Sequence, residues 1–246
     1  MPFKPLLVLL VCAPVALPQI NGLPSRETLT YSIEWRLFTA GKAKLEFAST
    51  PAPKPGAEIK LHLESVGFVS KLFKVDDDYM STLGAGLCAQ TSYLTAHEGN
   101  RQRETRITFD GEARKASYLE RDRVKNNVIL QIETDIPTCV HDVAGGLYQI
   151  RTLNLEPGQS AQVPVSDGKK SVMAKVEALQ REDVKTTAGT FKTVNYEIYL
   201  FNGVLYKRPA RLNIWLTDDR RKLPVQIRVR MQFTIGTINL QLEKYE

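Results

Sequence analysis

The stretch Val225-Gln-Ile-Arg-Val-Arg-Met-Gln-Phe-Thr234 decides the fold class. Apolar and polar residues alternate along it, and this period of two is typical of a β-strand with one face in an apolar core and the other in water. The alternation resumes after Gly236, in residues 238–242, and it is also present upstream, in residues 211–216. The C-terminal region is therefore predicted to consist of consecutive antiparallel strands.

Alternating segments separated by turn signals also occupy most of the chain before this region. Residues 31–37 are the first such strand, and Gly41 is predicted to mark the turn that follows it. Further turns are predicted at Asp110-Gly111, Asp167-Gly168, Ala188-Gly189 and Asn202-Gly203. This arrangement predicts a mainly β protein, either a curved antiparallel sheet or an incomplete β-barrel.

One segment has the period of a helix instead. Apolar residues recur at Val143, Ala144, Leu147 and Ile150, and Asp142 stands where an N-cap is expected. The adjacent glycines at 145 and 146 weaken a helix by about 1 kcal/mol each, but they also permit close packing. We predict one main helix over about residues 141–153, packed on the sheet. The segment 67–74 is compatible with a short helical turn or a bent strand.

The N-terminus has the pattern of an export signal. Lys4 precedes the apolar run 6–17, which is too short to span a bilayer comfortably but suits a secretory signal peptide. We therefore predict a signal peptide at 1–19, a polar linker at 22–27 and a single β-rich domain at 28–246, without a transmembrane segment in the mature chain. Lipoprotein anchoring by Cys12 is disfavoured, because Val11 stands where a small residue is expected. The predicted location is periplasmic or otherwise extracytoplasmic.

Two cysteines remain after removal of such a signal. Cys88 and Cys139 form an even pair, which in an oxidising compartment suggests one disulfide. Two buried thiols are the alternative, because sequence does not give the Cα separation that a bridge requires.

Charge and motif content exclude several function classes. The net charge is +6 and the pI about 9.2, but basic residues alternate with acidic ones and no run of five occurs, which argues against nucleic-acid binding. The three histidines, His62, His97 and His141, show no metal-binding spacing, and we predict no metal, cofactor or catalytic residue. The acidic run 76–78 lacks the ligand spacing of a calcium loop and is predicted to be a charged turn.

Two groups of residues are candidates for a pocket or for structural anchoring. Tyr148 and Arg151 share a helix face, where they would anchor the helix to the sheet or line the mouth of a cavity. The charged cluster after Trp215 is interpreted as a tight turn in which an Asp caps backbone N–H groups and pairs with Arg, with a carboxylate pair or an anion clamp as the alternative. The complete candidate set is Asp142, Tyr148, Arg151, Trp215, Asp218, Asp219 and Arg221.

An ordered set of short motifs resembles a bacterial family known as domain of unknown function 3108. The motifs are His141-Asp142, Leu147-Tyr-Gln-Ile-Arg151, Leu155-Glu-Pro-Gly158, Val165-Ser-Asp-Gly-Lys169, Ala188-Gly-Thr-Phe191, Ile214-Trp-Leu-Thr-Asp-Asp219, Leu223-Pro-Val225 and Ile235-Gly236. The segment Ala144-Gly-Gly146 departs from the family's small-residue and serine pattern, which bears on helix packing. The resemblance implies an exported envelope protein of mostly β structure and implies no reaction.

Three functions are compatible with these features. The first is a non-enzymatic exported envelope protein that binds a lipid or other hydrophobic ligand in a groove between the curved sheet and the helix. The second is an interaction or scaffold module that binds an envelope protein through an exposed sheet edge. The third is an enzyme whose site has no recognisable motif.

Overall fold

The computed structural model describes residues 22–36, 38–50, 55–231 and 236–246. The predicted signal peptide at 1–19 and Cys12 lie outside the described residues. Fourteen strands and two helices are assigned within these ranges, with one 3-10 turn at Ala85–Leu87. The elements are β1 Arg26–Trp35, β2 Phe38–Thr50, β3 Gly56–Ser65, α1 Gly67–Leu72, β4 Val75–Leu83, β5 Ala89–Glu98, β6 Arg101–Asp110, β7 Lys115–Asp122, β8 Asn127–Asp135, α2 Val143–Arg151, β9 Ser160–Ser166, β10 Ser171–Thr186, β11 Gly189–Ile198, β12 Ala210–Thr217, β13 Pro224–Met231 and β14 Thr237–Tyr245.

All fourteen strands belong to one antiparallel sheet with the order β8-β7-β6-β5-β4-β3-β2-β1-β14-β13-β12-β11-β10-β9. Each half of the chain is thus a meander, and the two meanders join where the first strand pairs with the last. In that ladder Ile33 lies opposite Leu240. Among the described strands, β8 and β9 pair on one side only, so the sheet is not closed into a barrel. The predicted fold class, a curved sheet or incomplete barrel with one main helix, is confirmed.

Two apolar clusters lie on the inward faces of the two meanders, and α2 contributes to both. Tyr148 packs in the first cluster, which is built mainly on β1–β7, whereas Ile150 packs in the second, which is built on β9–β12. Leu147 contacts both clusters. The main helix therefore lies between the two halves of the sheet.

Three local predictions need correction, and one open alternative is decided. Arg26 and Glu27 begin β1 and are not part of a linker. Gly41 lies inside β2 and not in a turn, and its small size serves close approach: a Cβ there would be 2.4 Å from the carbonyl oxygen of Glu64 on β3. The acidic run 76–78 lies within β4 and not in a turn. The ambiguous segment 67–74 contains the six-residue helix α1.

Candidate functional site

The N-terminus of α2 is joined to the sheet through Asp142. Its Oδ1 accepts a hydrogen bond of 2.6 Å from the backbone N–H of Gly145, which confirms the predicted N-cap. Its Oδ2 accepts hydrogen bonds from Tyr79 Oη at 2.7 Å and from Ser92 Oγ at 2.6 Å. Burial, and then the adjacent Asp142 carboxylate, hold the pKa of Tyr79 well above its usual value. One buried carboxylate thus ties α2 to β4 and β5.

The C-terminus of α2 is joined to the sheet through Arg151. Its two terminal nitrogens donate to the carboxylate of Glu27 on β1, at 2.5 and 2.8 Å, and Nη2 also donates to the carbonyl of Arg221. Both partners are buried. Burial alone would lower the pKa of Arg151, but the hydrogen bonds and charge of Glu27 outweigh it and raise the pKa. A buried, two-point ion pair therefore fixes this end of the helix.

Tyr148 completes the contact between α2 and the first meander. Its ring stacks on Phe47 of β2 with 4.4 Å between centroids, and its hydroxyl donates to Glu27 at 3.2 Å. Burial and then the Glu27 carboxylate raise the pKa of Tyr148 well above its usual value. Tyr148 and Arg151 share a helix face, as expected from their spacing, and both are buried. The geometry is that of an anchor, because side chains occupy the space between α2 and β1–β2.

The disulfide lies beside the start of α2. Cys88 and Cys139 are bonded, with Cα atoms 5.0 Å apart, which is within the usual range for such a bridge. Next to it, Nδ1 of His141 is 2.8 Å from the carbonyl oxygen of Leu87, and burial lowers the pKa of this histidine. The disulfide and the His141 imidazole hold the segment that leads into α2 against the 3-10 turn Ala85–Leu87, which precedes β5.

The charged cluster after β12 forms a turn in which each carboxylate has its own arginine. Asp219 accepts hydrogen bonds from the backbone and side chain of Arg221 and from Thr217 Oγ1. Asp218 pairs instead with Arg181 of β10 at 2.8 Å. This is the geometry of the predicted tight turn, in which an Asp caps backbone N–H groups and pairs with Arg. A hydrogen bond joins the two candidate groups, because the carbonyl of Arg221 accepts from Arg151.

Trp215 belongs to a polar network that sequence reasoning missed. Its Nε1 donates to Glu182 at 2.7 Å, and the Arg228 guanidinium lies 4.8 Å from the centroid of its ring. Burial alone would raise the pKa of Glu182, but hydrogen bonds from Trp215 and Asn195 outweigh it and lower the pKa. Hydrogen bonds join one group of side chains on β10–β12, Glu182, Asn195, Asn213 and Trp215, and a second group on β1 and β14, Glu34, Asn239 and Gln241. Gln226 and Arg228 of β13 lie between the two groups in the strand register.

The polar face of the C-terminal strands, which carries these side chains, was predicted to lie in water. That prediction is wrong for the centre of the face. Gln226 is only 5% exposed and Asn239 only 8%. Cross-strand registers stack these side chains in rows, Trp215 opposite Gln226 and Arg228 opposite Asn239, so that neighbours cover one another. Period-two alternation separates the faces of a strand, but it does not tell how much solvent each face meets.

Glu27 is the other important residue that was missed, although the sequence does contain a signal for it. Extending the alternation of Leu29, Tyr31 and Ile33 backward by two positions places Glu27 on the inward face of β1. A carboxylate at an inward position requires a partner. The sequence contains 33 Lys and Arg residues, however, and nothing local distinguishes Arg151 as that partner.

The most exposed apolar surface of the described chain lies at α1. Phe68, Leu72 and Phe73 are 72%, 67% and 52% exposed, and no residue of this helix is buried. The helix packs against β2, where the carbonyl of Ala40 accepts from the N–H of Val66. Phe38, at the start of β2, is 68% exposed. We refer to Phe38, Phe68, Leu72 and Phe73 as the α1 surface.

One group of side chains has the donor types of a metal site. His62 on β3 and Asp76 and Asp78 on β4 each offer a ligand atom, and these three atoms lie within 4.8 Å of one another.

No helix of the described residues has the length and apolarity needed to cross a membrane.

A family model described as "Protein of unknown function (DUF3108)" matches residues 30–243 of this chain. The chain belongs to this family. The match spans both meanders and both helices, and it confirms the resemblance drawn from the ordered motifs. Membership in DUF3108 brings no reaction or ligand with it. No functionally curated protein matches the chain.

One solved structure supports the fold of this DUF3108 member, and two others are less similar to it. A β-barrel-like protein of domain of unknown function DUF1849 from Brucella abortus is 10% identical, with a TM-score of 0.60, over 91% of this chain and 98% of that one. A protein inferred to be exported, with a YmcC-like fold, from Bacteroides fragilis NCTC 9343 is 8% identical, with a TM-score of 0.37, over 90% and 95%. An inferred lipoprotein from Parabacteroides distasonis ATCC 8503 is 10% identical, with a TM-score of 0.33, over 92% and 98%. At these identities the DUF1849 structure informs the fold alone, and the other two carry no argument.

Proposed function

We propose that this DUF3108 protein is an exported, non-enzymatic envelope protein that binds a membrane surface through the α1 surface. The observation that carries the proposal is the exposure of Phe38, Phe68, Leu72 and Phe73. Export is supported by the apolar N-terminal run at 6–17 and by the disulfide, which persists in oxidising compartments. The absence of a recognised catalytic motif and the structural engagement of Asp142, Asp218 and Asp219 favour a binding role.

We assign hydrophobic binding to the α1 surface and not to the predicted groove between α2 and the sheet, because side chains occupy that groove. Tyr148 stacked on Phe47, and Arg151 paired with Glu27, lie between α2 and the sheet. Leu83 approaches the same helix closely enough that a Cβ on Gly145 would be 3.1 Å from it. A lipid chain bound there would have to displace these well-packed groups, whereas α1 already presents apolar side chains to solvent.

The chemistry of α1 suits an anionic bilayer. Lys71 and Lys74 are exposed beside Phe68, Leu72 and Phe73, so apolar and cationic groups occur together. Burying a Phe or Leu side chain yields about 1.5–3 kcal/mol each, and lysines near an anionic membrane add about 1 kcal/mol each. A short amphipathic segment of this kind is expected to lie in the headgroup region and not to span the membrane.

Vesicle co-sedimentation tests the proposal. The exported form of the protein would be mixed with vesicles of phosphatidylethanolamine and phosphatidylglycerol, and separately with phosphatidylcholine alone. We expect binding to the anionic vesicles that is weakened by salt, and a loss of about tenfold or more in Phe68→Ser/Leu72→Ser. The matched control is Val128→Ser/Ile129→Ser, which removes two exposed apolar side chains from β8 and is expected to bind as the wild type does. Equal binding by both variants would contradict the proposal.

The second candidate function is an interaction module that uses the edge strand β8. This strand pairs only with β7 among the described strands, and its Val128 and Ile129 are exposed. An unpaired edge with exposed apolar side chains is a template for an added strand from a partner. The same two double variants separate the candidates. A photocrosslinker at position 131 of β8 would be tested for capture of an envelope protein. Capture that is lost in Val128→Ser/Ile129→Ser but kept in Phe68→Ser/Leu72→Ser would favour β8.

A further inference from the structure

The outward face of β3 and β4 brings together one imidazole and two carboxylates. The cross-strand register pairs His62 with Asp78, and Asp76 follows two positions along β4 on the same face. Nδ1 of His62 is 2.9 Å from Oδ1 of Asp78, and the three donor atoms lie within 4.8 Å of one another. We propose that His62, Asp76 and Asp78 bind a divalent transition-metal ion, with Zn²⁺ as the best match.

Further donors surround this set on the same face. In the register, Asp76 lies between Glu64 of β3 and His97 of β5. Side chains that face each other across neighbouring strands have Cβ atoms only about 5 Å apart. Glu64 or His97 is therefore placed to supply a fourth ligand, and water would complete the coordination shell. Asp77 does not contribute, because it points to the opposite face, where its carboxylate accepts from the backbone N–H of His97.

The donor types favour zinc over calcium or magnesium. Imidazole is a preferred ligand of Zn²⁺, whereas Ca²⁺ and Mg²⁺ prefer all-oxygen sites. Tetrahedral Zn²⁺ with bonds near 2.0–2.1 Å places its donors roughly 3.3 Å apart, so the 2.9 Å pair of His62 and Asp78 must separate slightly and any wider donor distance, up to 4.8 Å, must close. Side-chain rotation is sufficient for these adjustments, because the side chains of His62 and Asp78 are 41% and 73% exposed.

The lysine opposite His62 is already paired with another carboxylate. Lys44 of β2 lies opposite His62 in the register, but its ammonium group is paired with Glu46 at 2.6 Å. The residues of the site lie in the two strands that α1 connects, so a bound ion would link β3 to β4 beside this helix. The inference goes beyond the proposed function and does not depend on it, because its test measures metal binding without lipid.

Calorimetric titration of chelator-treated protein with zinc sulfate tests the site. We expect one ion per chain in the wild type, and a decrease in affinity of about tenfold or more in Asp76→Asn/Asp78→Asn. The matched control is Glu112→Gln/Asp183→Asn, which removes two exposed acidic groups elsewhere and is expected to bind as the wild type does. Circular dichroism would check that each variant is folded. Equal affinity in both double variants, or no uptake by the wild type, would overturn the proposal.

A measurement on the wild type alone keeps the proposal testable if the Asp76→Asn/Asp78→Asn variant fails to fold. Co²⁺ replaces Zn²⁺ in such sites and is paramagnetic, so it shifts or broadens nearby amide signals in NMR spectra. We expect these effects to concentrate at residues 60–64 and 75–80. Effects spread evenly over surface carboxylates would show adventitious binding and would overturn the assignment.

Discussion

Arg151 of α2 and Glu27 of β1 form a buried two-point ion pair although they are 124 positions apart in the chain. The pair joins the main helix to the strand at the centre of the sheet. Breaking a buried pair by removing one partner is strongly destabilising, because the other charge is left without compensation. Replacing both partners with apolar residues is often nearly neutral. The pair is therefore expected to be strongly coupled.

We predict that Arg151→Met lowers the free energy of unfolding by about 3–5 kcal/mol, because among the described residues Glu27 then keeps only the Tyr148 hydroxyl as a side-chain hydrogen-bond partner. Glu27→Leu/Arg151→Met should lose much less, because no charge remains buried. Urea denaturation of the wild type, the single variant and the double variant measures both effects. A double variant as unstable as Arg151→Met would contradict this account. Nε of Arg151 has no partner among the described residues, which makes recovery in the double variant easier.

A second prediction concerns the disulfide between Cys88 and Cys139. These residues are 51 positions apart, and a bridge of this length restricts the unfolded chain, which stabilises a protein by about 2–4 kcal/mol. Cys88→Ala/Cys139→Ala should lower the free energy of unfolding by that amount. Thiol titration of the denatured wild type should detect two more thiols after reduction than before. An unchanged thiol count would show that the bridge does not form in the cell.

The sequence predicted the elements of this fold better than their arrangement. Alternation over 225–231 and 238–242 and the stripe over 143–150 identified strands and the main helix, because these patterns depend on local geometry alone. The predicted continuation over 232–234 lies outside the described residues. The pairing of β1 with β14 was not predictable, because alternation does not say which strand lies beside which. Folding places Ile33 opposite Leu240, although 207 positions separate them in the chain.

The same limit applies to the candidate sites. Asp142 was recognised as a cap because capping is local, and Tyr148 and Arg151 were placed on one face because helical spacing is local. The polar composition of 22–27 predicts a linker there, and the partner that allows Glu27 to be buried lies 124 positions away in the sequence. His62 and Asp78 meet only through the β3–β4 register, so a search for closely spaced metal ligands in the sequence had no means of finding them.

A third prediction concerns stability at acid pH. Burial lowers the pKa of His141, so the folded chain holds the imidazole neutral where the unfolded chain, with an ordinary pKa near 6.5, binds a proton. The unfolded state then carries more protons, and the free energy of unfolding falls as pH decreases below about 6.5. His141→Gln, which can still donate to the Leu87 carbonyl, should lose part of this pH dependence.

Urea denaturation at pH 8 and pH 5 measures the effect. The other titratable groups, including His62 and His97, are the same in both proteins, so the difference between wild type and His141→Gln isolates position 141. We expect the wild type to lose more stability between the two pH values than the variant does. Equal losses would indicate that His141 binds a proton as readily in the folded chain as in the unfolded one.

The last prediction uses the adjacent glycines of α2 as a matched pair. A Cβ at Gly145 would lie 2.8 Å from Oδ1 of Asp142 and 3.1 Å from a methyl group of Leu83, whereas a Cβ at Gly146 would meet its nearest neighbour, Val165, at 3.8 Å. Alanine favours a helix over glycine by about 1 kcal/mol at either position. At 145 this gain is outweighed by overpacking, at about 1–3 kcal/mol, and by disturbance of the cap, at about 1 kcal/mol.

Gly145→Ala should therefore lower the free energy of unfolding by about 1–3 kcal/mol, and Gly146→Ala should raise it by up to about 1 kcal/mol. Urea denaturation of both variants, followed by circular dichroism, measures the two changes under identical conditions. Because the substitutions are chemically the same and adjacent, helix propensity cancels in the comparison, and opposite signs would have to arise from the contact of position 145 with Asp142 and Leu83. Stabilisation by both variants would mean that α2 moves away from β4 at little cost, and that its N-terminal anchor is weaker than the three hydrogen bonds to Asp142 suggest.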